Sequence, residues 1–200
     1  MKSKIKKLIM FSLLLIVPIG VVLIYNNYTE ESKPSELKDI EYHGSFAEFN
    51  YDELTEQATV IATVIVNDDL TLENSTLLYA NEETNDIYGF IGEREVTVLE
   101  YYKNEPNAGE TLSLIEPAAI TEENEYLRAD GYEALEKGKL YLVFLSSDNA
   151  TNQLSIISAN NGVFDLENPE ENEKIEILEE AEEELPIQET LEEHSEEISE

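Results

Sequence analysis

The sequence predicts a mainly β domain, a small closed barrel or a sandwich of five to six short strands with one or two short helices. It sets this domain between a transmembrane helix and an acidic tail. Three observations predict it. Six short segments between residues 59 and 166 carry strand patterning, with turn residues between them. Residues 8–25 hold no charge and follow four lysines. Residues 169–200 hold 15 Glu and one Lys.

The 200-residue chain carries 12 Lys and Arg against 45 Asp and Glu, a formal charge of −33. Lys2, Lys4, Lys6 and Lys7 are four of the twelve, so eight basic residues accompany all 45 acids in the remainder. A field of that sign repels nucleic acid and anionic headgroups, so no nucleic-acid partner is expected. The chain has no Cys, which rules out disulfides, thiolate metal sites and a Cys nucleophile. His43 and His194 are too few for a multi-histidine zinc site.

The uncharged run 8–25 spans about 27 Å as a helix, close to a bilayer's hydrocarbon thickness. Lysines before it and Glu30 and Glu31 after it place residues 1–7 in the cytoplasm and the rest of the chain outside. A cleaved signal peptide is the competing reading. The residues after the run, Val22 to Tyr28, offer no pair of small residues for a signal peptidase. The expectation is an uncleaved anchor in the cell membrane, a polar tether at 26–45, an extracytoplasmic domain at 46–167 and an acidic tail at 168–200.

Within the domain, FNYDELTEQA predicts a short helix, with Asn50 and Glu53 in a capping pattern. TVIATVIV (59–66) is β-branched almost throughout. Its Val60, Ala62, Val64 and Val66 share one face, and Ile61 and Ile65 the other. Residues 67–88 predict a long loop or a hairpin excursion. FIGEREVTVLEYY (90–102) is a second strand, with Val96 and Val98 on one face, Thr97, Leu99 and Tyr101 on the other, and Gly92 as a candidate bulge. TLSLIE (111–116) alternates as a third strand. GYEALEK, ended by Gly138, predicts a short helix. KLYLVFL (139–145) is the most apolar stretch outside the membrane run and hence the central strand. LSIISA (154–159) and GVFDL (162–166) follow, joined by a tight turn at Asn160-Asn161-Gly162. In the tail, Ile175, Leu178, Ala181 and Leu185, then Ile187, Leu191, His194 and Ile198, recur at helical spacing. Like charges at i,i+4 oppose those helices, so the tail is either partly helical or a solvated, disordered appendage.

The order of these pieces resembles a diffuse family of uncharacterised exported, membrane-anchored proteins of Gram-positive bacteria. The residues that carry the resemblance are Val96, Val98 and Lys103, then Gly138, Tyr141, Leu142, Phe144 and Leu145, then Gly162. It covers about residues 46–167. It implies an OB-like barrel, similar to netrin-like modules and tissue metalloprotease inhibitors. It brings no catalytic residue. The inhibitors' mechanism does not carry over, because it needs an N-terminal Cys.

No nucleophile elbow, zinc-binding helix or phosphate loop is present, and no cofactor is expected. His43-Gly44-Ser45 falls in the expected tether, where proximity of a His to a Ser is accidental. NDDLTLEN (67–74) could offer oxygens to Ca²⁺ but lacks the spacing of a calcium loop. Tyr101, Tyr102 and Tyr141 lie in strands, where Tyr is favoured for packing rather than for stacking sugars. The expected function is binding or interaction at the cell surface, with a protein or cationic partner. The alternative is an envelope enzyme or enzyme inhibitor.

Overall fold

The computed structural model describes residues 37–44, 46–81, 86–104, 111–147, 153–172 and 174–199. The expected cytoplasmic end, the expected membrane segment 8–25 and most of the expected tether lie outside these residues. Among the described residues no helix is long and apolar enough to cross a membrane.

The strands are β1 (Lys38–Tyr42), β2 (Val60–Val66), β3 (Ser75–Tyr79), β4 (Ile87–Lys103), β5 (Thr111–Glu116), β6 (Ala118–Ile120), β7 (Glu125–Ala129), β8 (Leu140–Ser147), β9 (Leu154–Ile156) and β10 (Val163–Asp165). The helices are α1 (Tyr51–Gln57), α2 (Ile175–Glu184) and α3 (Ile187–Ser199). β2, β4 and β5 form a meander. β8 pairs with β2, and β9 bridges β8 and β5, which closes a five-stranded barrel. Every pairing in the ring is antiparallel except β5 with β9. A separate sheet in the order β1-β7-β6 has β1 parallel to β7.

Two cores flank the barrel wall. Val60, Ala62, Val64 and Val66 point inward, as their alternation predicts, and meet Val96, Leu112, Leu114, Val143 and Leu145. Ile61, Leu142 and Phe144 point outward. They are covered by Tyr51 and Leu54 of α1 and by Ile177, Leu178 and Ala181 of α2. Phe144 meets the rings of Tyr51 and Phe164 edge-on, at 6.2 Å and 6.0 Å. α1 starts at the expected capping box, where Glu53 N–H donates to Asn50 Oδ1 (3.0 Å) and Asn50 N–H to Glu53 Oε2 (3.1 Å). At its other end, Lys103 Nζ donates to the Thr55 carbonyl (2.6 Å) and neutralises the helix's negative pole.

The tail is helical, and one face of it is buried. Each like-charged i,i+4 pair costs about 0.2–0.5 kcal/mol. Burying one Leu or Ile contributes about 1.5–3 kcal/mol. Ile177, Leu178 and Ile187 are all buried, so packing outweighs repulsion. Tyr102 Oη ties α3 to the barrel through Thr190 Oγ1 (3.1 Å) and Thr63 Oγ1 (2.9 Å).

Several local expectations are corrected. GYEALEK is not a helix, because its backbone is taken by side chains. Ala134 N–H donates to Tyr126 Oη (3.0 Å), Leu135 N–H to Glu116 Oε2 (2.9 Å) and Glu136 N–H to Tyr141 Oη (3.1 Å). Gly92 is no bulge, since it pairs in register with both Ser75 and Glu116. A Cβ there would lie 2.6 Å from Leu70 Cδ1 and 2.8 Å from the Ala118 carbonyl oxygen. The register shifts lie elsewhere. One shift between Thr63 and Val64 leaves Leu99 unopposed and turns Tyr101 onto the inner core, not away from Val98. Asn160-Asn161-Gly162 makes a single 3-10 turn, and the strands beside it do not pair with each other; both lie along β8. Residues 38–42, expected as tether, form β1.

Candidate functional site

The inward face of β4 that carries Val96 and Val98 also carries Arg94. No part of the Arg94 or Glu116 side chain is exposed. Arg94 Nη1 donates to Glu116 Oε1 (2.6 Å) and to the Leu135 carbonyl (2.7 Å). Its Nε donates to Asp68 Oδ1 (3.3 Å) and its Nη2 to the Asp68 carbonyl. Glu116 Oε2 accepts from Tyr132 Oη (2.8 Å) and from Leu135 N–H. Burial pushes the Glu116 carboxyl up, and the Arg94 charge only partly offsets this. Burial pulls Arg94 down, but the charges of Glu116 and Asp68 and their hydrogen bonds together outweigh it and hold Arg94 above its ordinary value. This knot ties β4, β5 and the segments 67–74 and 130–138 into one barrel rim.

Outside that rim, the opposite face of β4 is acidic. Glu93 and Glu95 point away from Arg94, beside Thr111 and Ser113 of β5. With Asp68, Glu73 and Asn74 they line an open cleft of about 340 Å³, and none of its lining residues is basic. Their geometry is fixed by neighbours. Ser113 Oγ donates to Glu93 Oε1 (2.7 Å), and Asn67 Nδ2 to Glu95 Oε1 (3.3 Å). The one cation next to them in sequence is spent on the interior. The cleft therefore offers fixed carboxylates to a positive ligand.

The 67–74 loop uses its own oxygens. Asp68 Oδ2 and the Asp69 carbonyl accept from Asn74 Nδ2 at 3.1 Å and 2.9 Å, and Asn74 Oδ1 accepts from Thr71 N–H at 2.7 Å. These donors hold three of the oxygens that the sequence offered to Ca²⁺. His43 Nδ1 lies 3.2 Å from Asp130 Oδ2, and its side chain is 81% exposed; Ser45 lies outside the described residues. Glu41, His43 and Asp130 form an exposed cluster, but Glu41 Oε1 already accepts from Gly131 N–H (2.7 Å) and faces Arg128. A second cleft of about 180 Å³ contains Lys139, whose charge is met by Glu136 (2.6 Å) and Asp165 (3.4 Å). Tyr101, Tyr102 and Tyr141 pack against the two cores, as their strand positions predict.

The sequence reading missed the Arg94 knot and the acidic cleft. A signal for both was present. Alternation through Arg94-Glu95-Val96-Thr97-Val98 puts Arg94 with the buried valines and Glu95 on the other face. No protein-family model matches the chain, and no curated protein matches it in sequence.

Proposed function

We propose that this is a single-pass membrane protein, anchored by residues 8–25 with its N-terminus in the cytoplasm, whose extracytoplasmic barrel binds a basic protein partner. In this reading it belongs with the exported Gram-positive proteins it resembles. The barrel order supports an OB-like fold: a three-stranded meander, a fourth strand beside the first, and a fifth parallel to the third. OB barrels bind ligands on the face of their second and third strands, helped by the loop between the first and second. Here those parts are β4, β5 and the segment 67–86.

The observation that carries the reading is that the acidic cleft occupies this face. Asp68 is met by Arg94, but Glu73, Glu93 and Glu95 stand in a lining without a basic residue; such carboxylates favour a positively charged ligand, steer it at long range and repel nucleic acid. A chain this acidic attracts any polycation weakly, so the test must be local. Full-length protein is titrated with a labelled oligolysine peptide, comparing Glu93→Gln/Glu95→Gln with Glu192→Gln/Glu193→Gln on α3. The reading expects the cleft pair to weaken binding about tenfold and the helix pair to change it little. Equal effects would mean that charge alone is sensed. A C-terminal tag protected from protease on intact cells would refute the topology.

A further inference from the structure

β4 overshoots the barrel. Its first residues, 87–91, pair with β3 and not with β5, so β3 and the start of β4 form a two-stranded arm. Among the described residues, the backbone ladder of β3 runs to β4 alone. Two hydrogen bonds fix which groups point outward. Glu93 N–H donates to the Asn74 carbonyl (2.8 Å), and Ala80 N–H to the Asp86 carbonyl (2.8 Å). By alternation, Thr76 and Leu78 turn their backbone groups toward β4, and Leu77 and Tyr79 turn theirs to the open edge.

That edge lacks the usual protection. Soluble proteins blunt edge strands with charges or proline. β3 reads Ser-Thr-Leu-Leu-Tyr, with neither, in a chain whose residues are 28% charged. Its neighbourhood is also apolar: Leu78, Tyr79 and Tyr88 are 37%, 47% and 69% exposed. The charges stand at the two ends. Glu73, which also lines the cleft, precedes β3, and Asp86 faces Ala80 just beyond it.

We propose that β3 is a docking edge that takes an extended segment of another protein as an added strand, apolar at alternate positions and basic at its ends. The mode is β-augmentation, in which main-chain bonds supply affinity and alternate side chains supply selection. A second copy of this chain is a poor occupant. Antiparallel β3–β3 pairing would bring Glu73 of one copy to the Asp86 end of the other, and parallel pairing would align Glu73 with Glu73. Like charges placed opposite one another destabilise a strand pair. The inference rests on the reading of the cleft as a site for cations, because one basic end of the segment would reach Glu73.

The probe is a labelled synthetic peptide of alternating Val and Thr with Lys at both ends, mixed with the full-length protein. Saturable binding that weakens with salt is expected, and its absence overturns the proposal. Two further peptides carry N-methyl groups on one or the other alternate set of amides. Added as a strand, the peptide turns one set toward β3, so one methylated version should bind about tenfold worse and the other like the parent. Equal behaviour of the two overturns the edge. Leu77→Pro gives a second arm: it removes an outward N–H that the ladder does not use, so the fold should survive and peptide binding should fall. Unchanged binding in a folded variant would also count against the edge. The cleft is separable from the edge. Sensitivity to Glu93→Gln/Glu95→Gln without sensitivity to N-methyl position keeps the cleft and rejects the edge. The converse keeps the edge and rejects the cleft.

Discussion

Glu116 pairs in the sheet with Gly92, and its carboxylate reaches diagonally to Arg94, 2.6 Å away, inside the barrel. The glycine makes this approach possible. A Cβ on Gly92 would sit 3.3 Å from Glu116 Cγ, besides striking Leu70 and the Ala118 carbonyl. Removing one partner of such a pair leaves an uncompensated buried charge. Glu116→Gln should therefore cost about 3–5 kcal/mol of stability, measured by denaturant unfolding of the full-length protein. Arg94→Met/Glu116→Leu should recover part of this, because no lone charge remains, although Tyr132 and Leu135 N–H still lose their acceptor. A Glu116→Gln variant of unchanged stability would show that the knot is not a structural tie.

Gly92→Ala should destabilise by about 1–3 kcal/mol, the usual cost of overpacking. Leu70 can swing its Cδ1 aside, but a main-chain carbonyl cannot move without shifting β6. Thermal melting checks this, and a variant that melts with the parent would place Gly92 in open space.

The tail helices should behave as part of the fold. Leu178 is 1% exposed against the outer face of β8. Leu178→Ala should cost about 2–5 kcal/mol, whereas Glu179→Gln, on the solvent side of the same helix, should cost little. Similar effects of the two substitutions would mean that the tail does not pack on the barrel.

Asp165 supplies a pH dependence. Burial alone would push its carboxyl up. Hydrogen bonds from Asn168 and Glu167 N–H, with the Lys139 charge, overcome this and hold it below the usual aspartate value. A depressed carboxyl contributes stability that is fully present above its unfolded value of about 4 and is lost as pH falls through the folded value. The stability difference between the parent and Asp165→Asn should therefore be largest at neutral pH and shrink below about pH 4. A difference independent of pH would show that the charge plays no part.

The barrel strands were legible where burial on one or both sides leaves an apolar signature. β2 and β8 are strongly apolar, and the Asn50–Glu53 cap announced α1. β1 was not legible. Lys-Asp-Ile-Glu-Tyr becomes a strand because its backbone pairs with β7, far away in sequence, where Lys38 also meets Glu125 and Asp39 meets Arg128. β6 and β7 follow the same logic, since short strands depend on partners that sequence spacing does not show. GYEALEK has helical propensity, but Glu116 and two tyrosine hydroxyls compete for its amides and win. The acidic cleft was hidden by the abundance of Glu. Only the parity set by Arg94 singles out Glu93 and Glu95 among so many carboxylates.

Engagement of a partner at the free edge of β3, beside the acidic cleft, has a direct readout in residue-resolved amide hydrogen exchange on the full-length chain. Without peptide, Thr76 and Leu78 should exchange slowly and Leu77 and Tyr79 quickly, because only the first pair donates to β4. With the Lys-flanked Val-Thr peptide, Leu77 and Tyr79 should become protected while α2 stays unchanged. Fast exchange at Leu77 and Tyr79 in the presence of saturating peptide, with protection gained elsewhere, would contradict the claim.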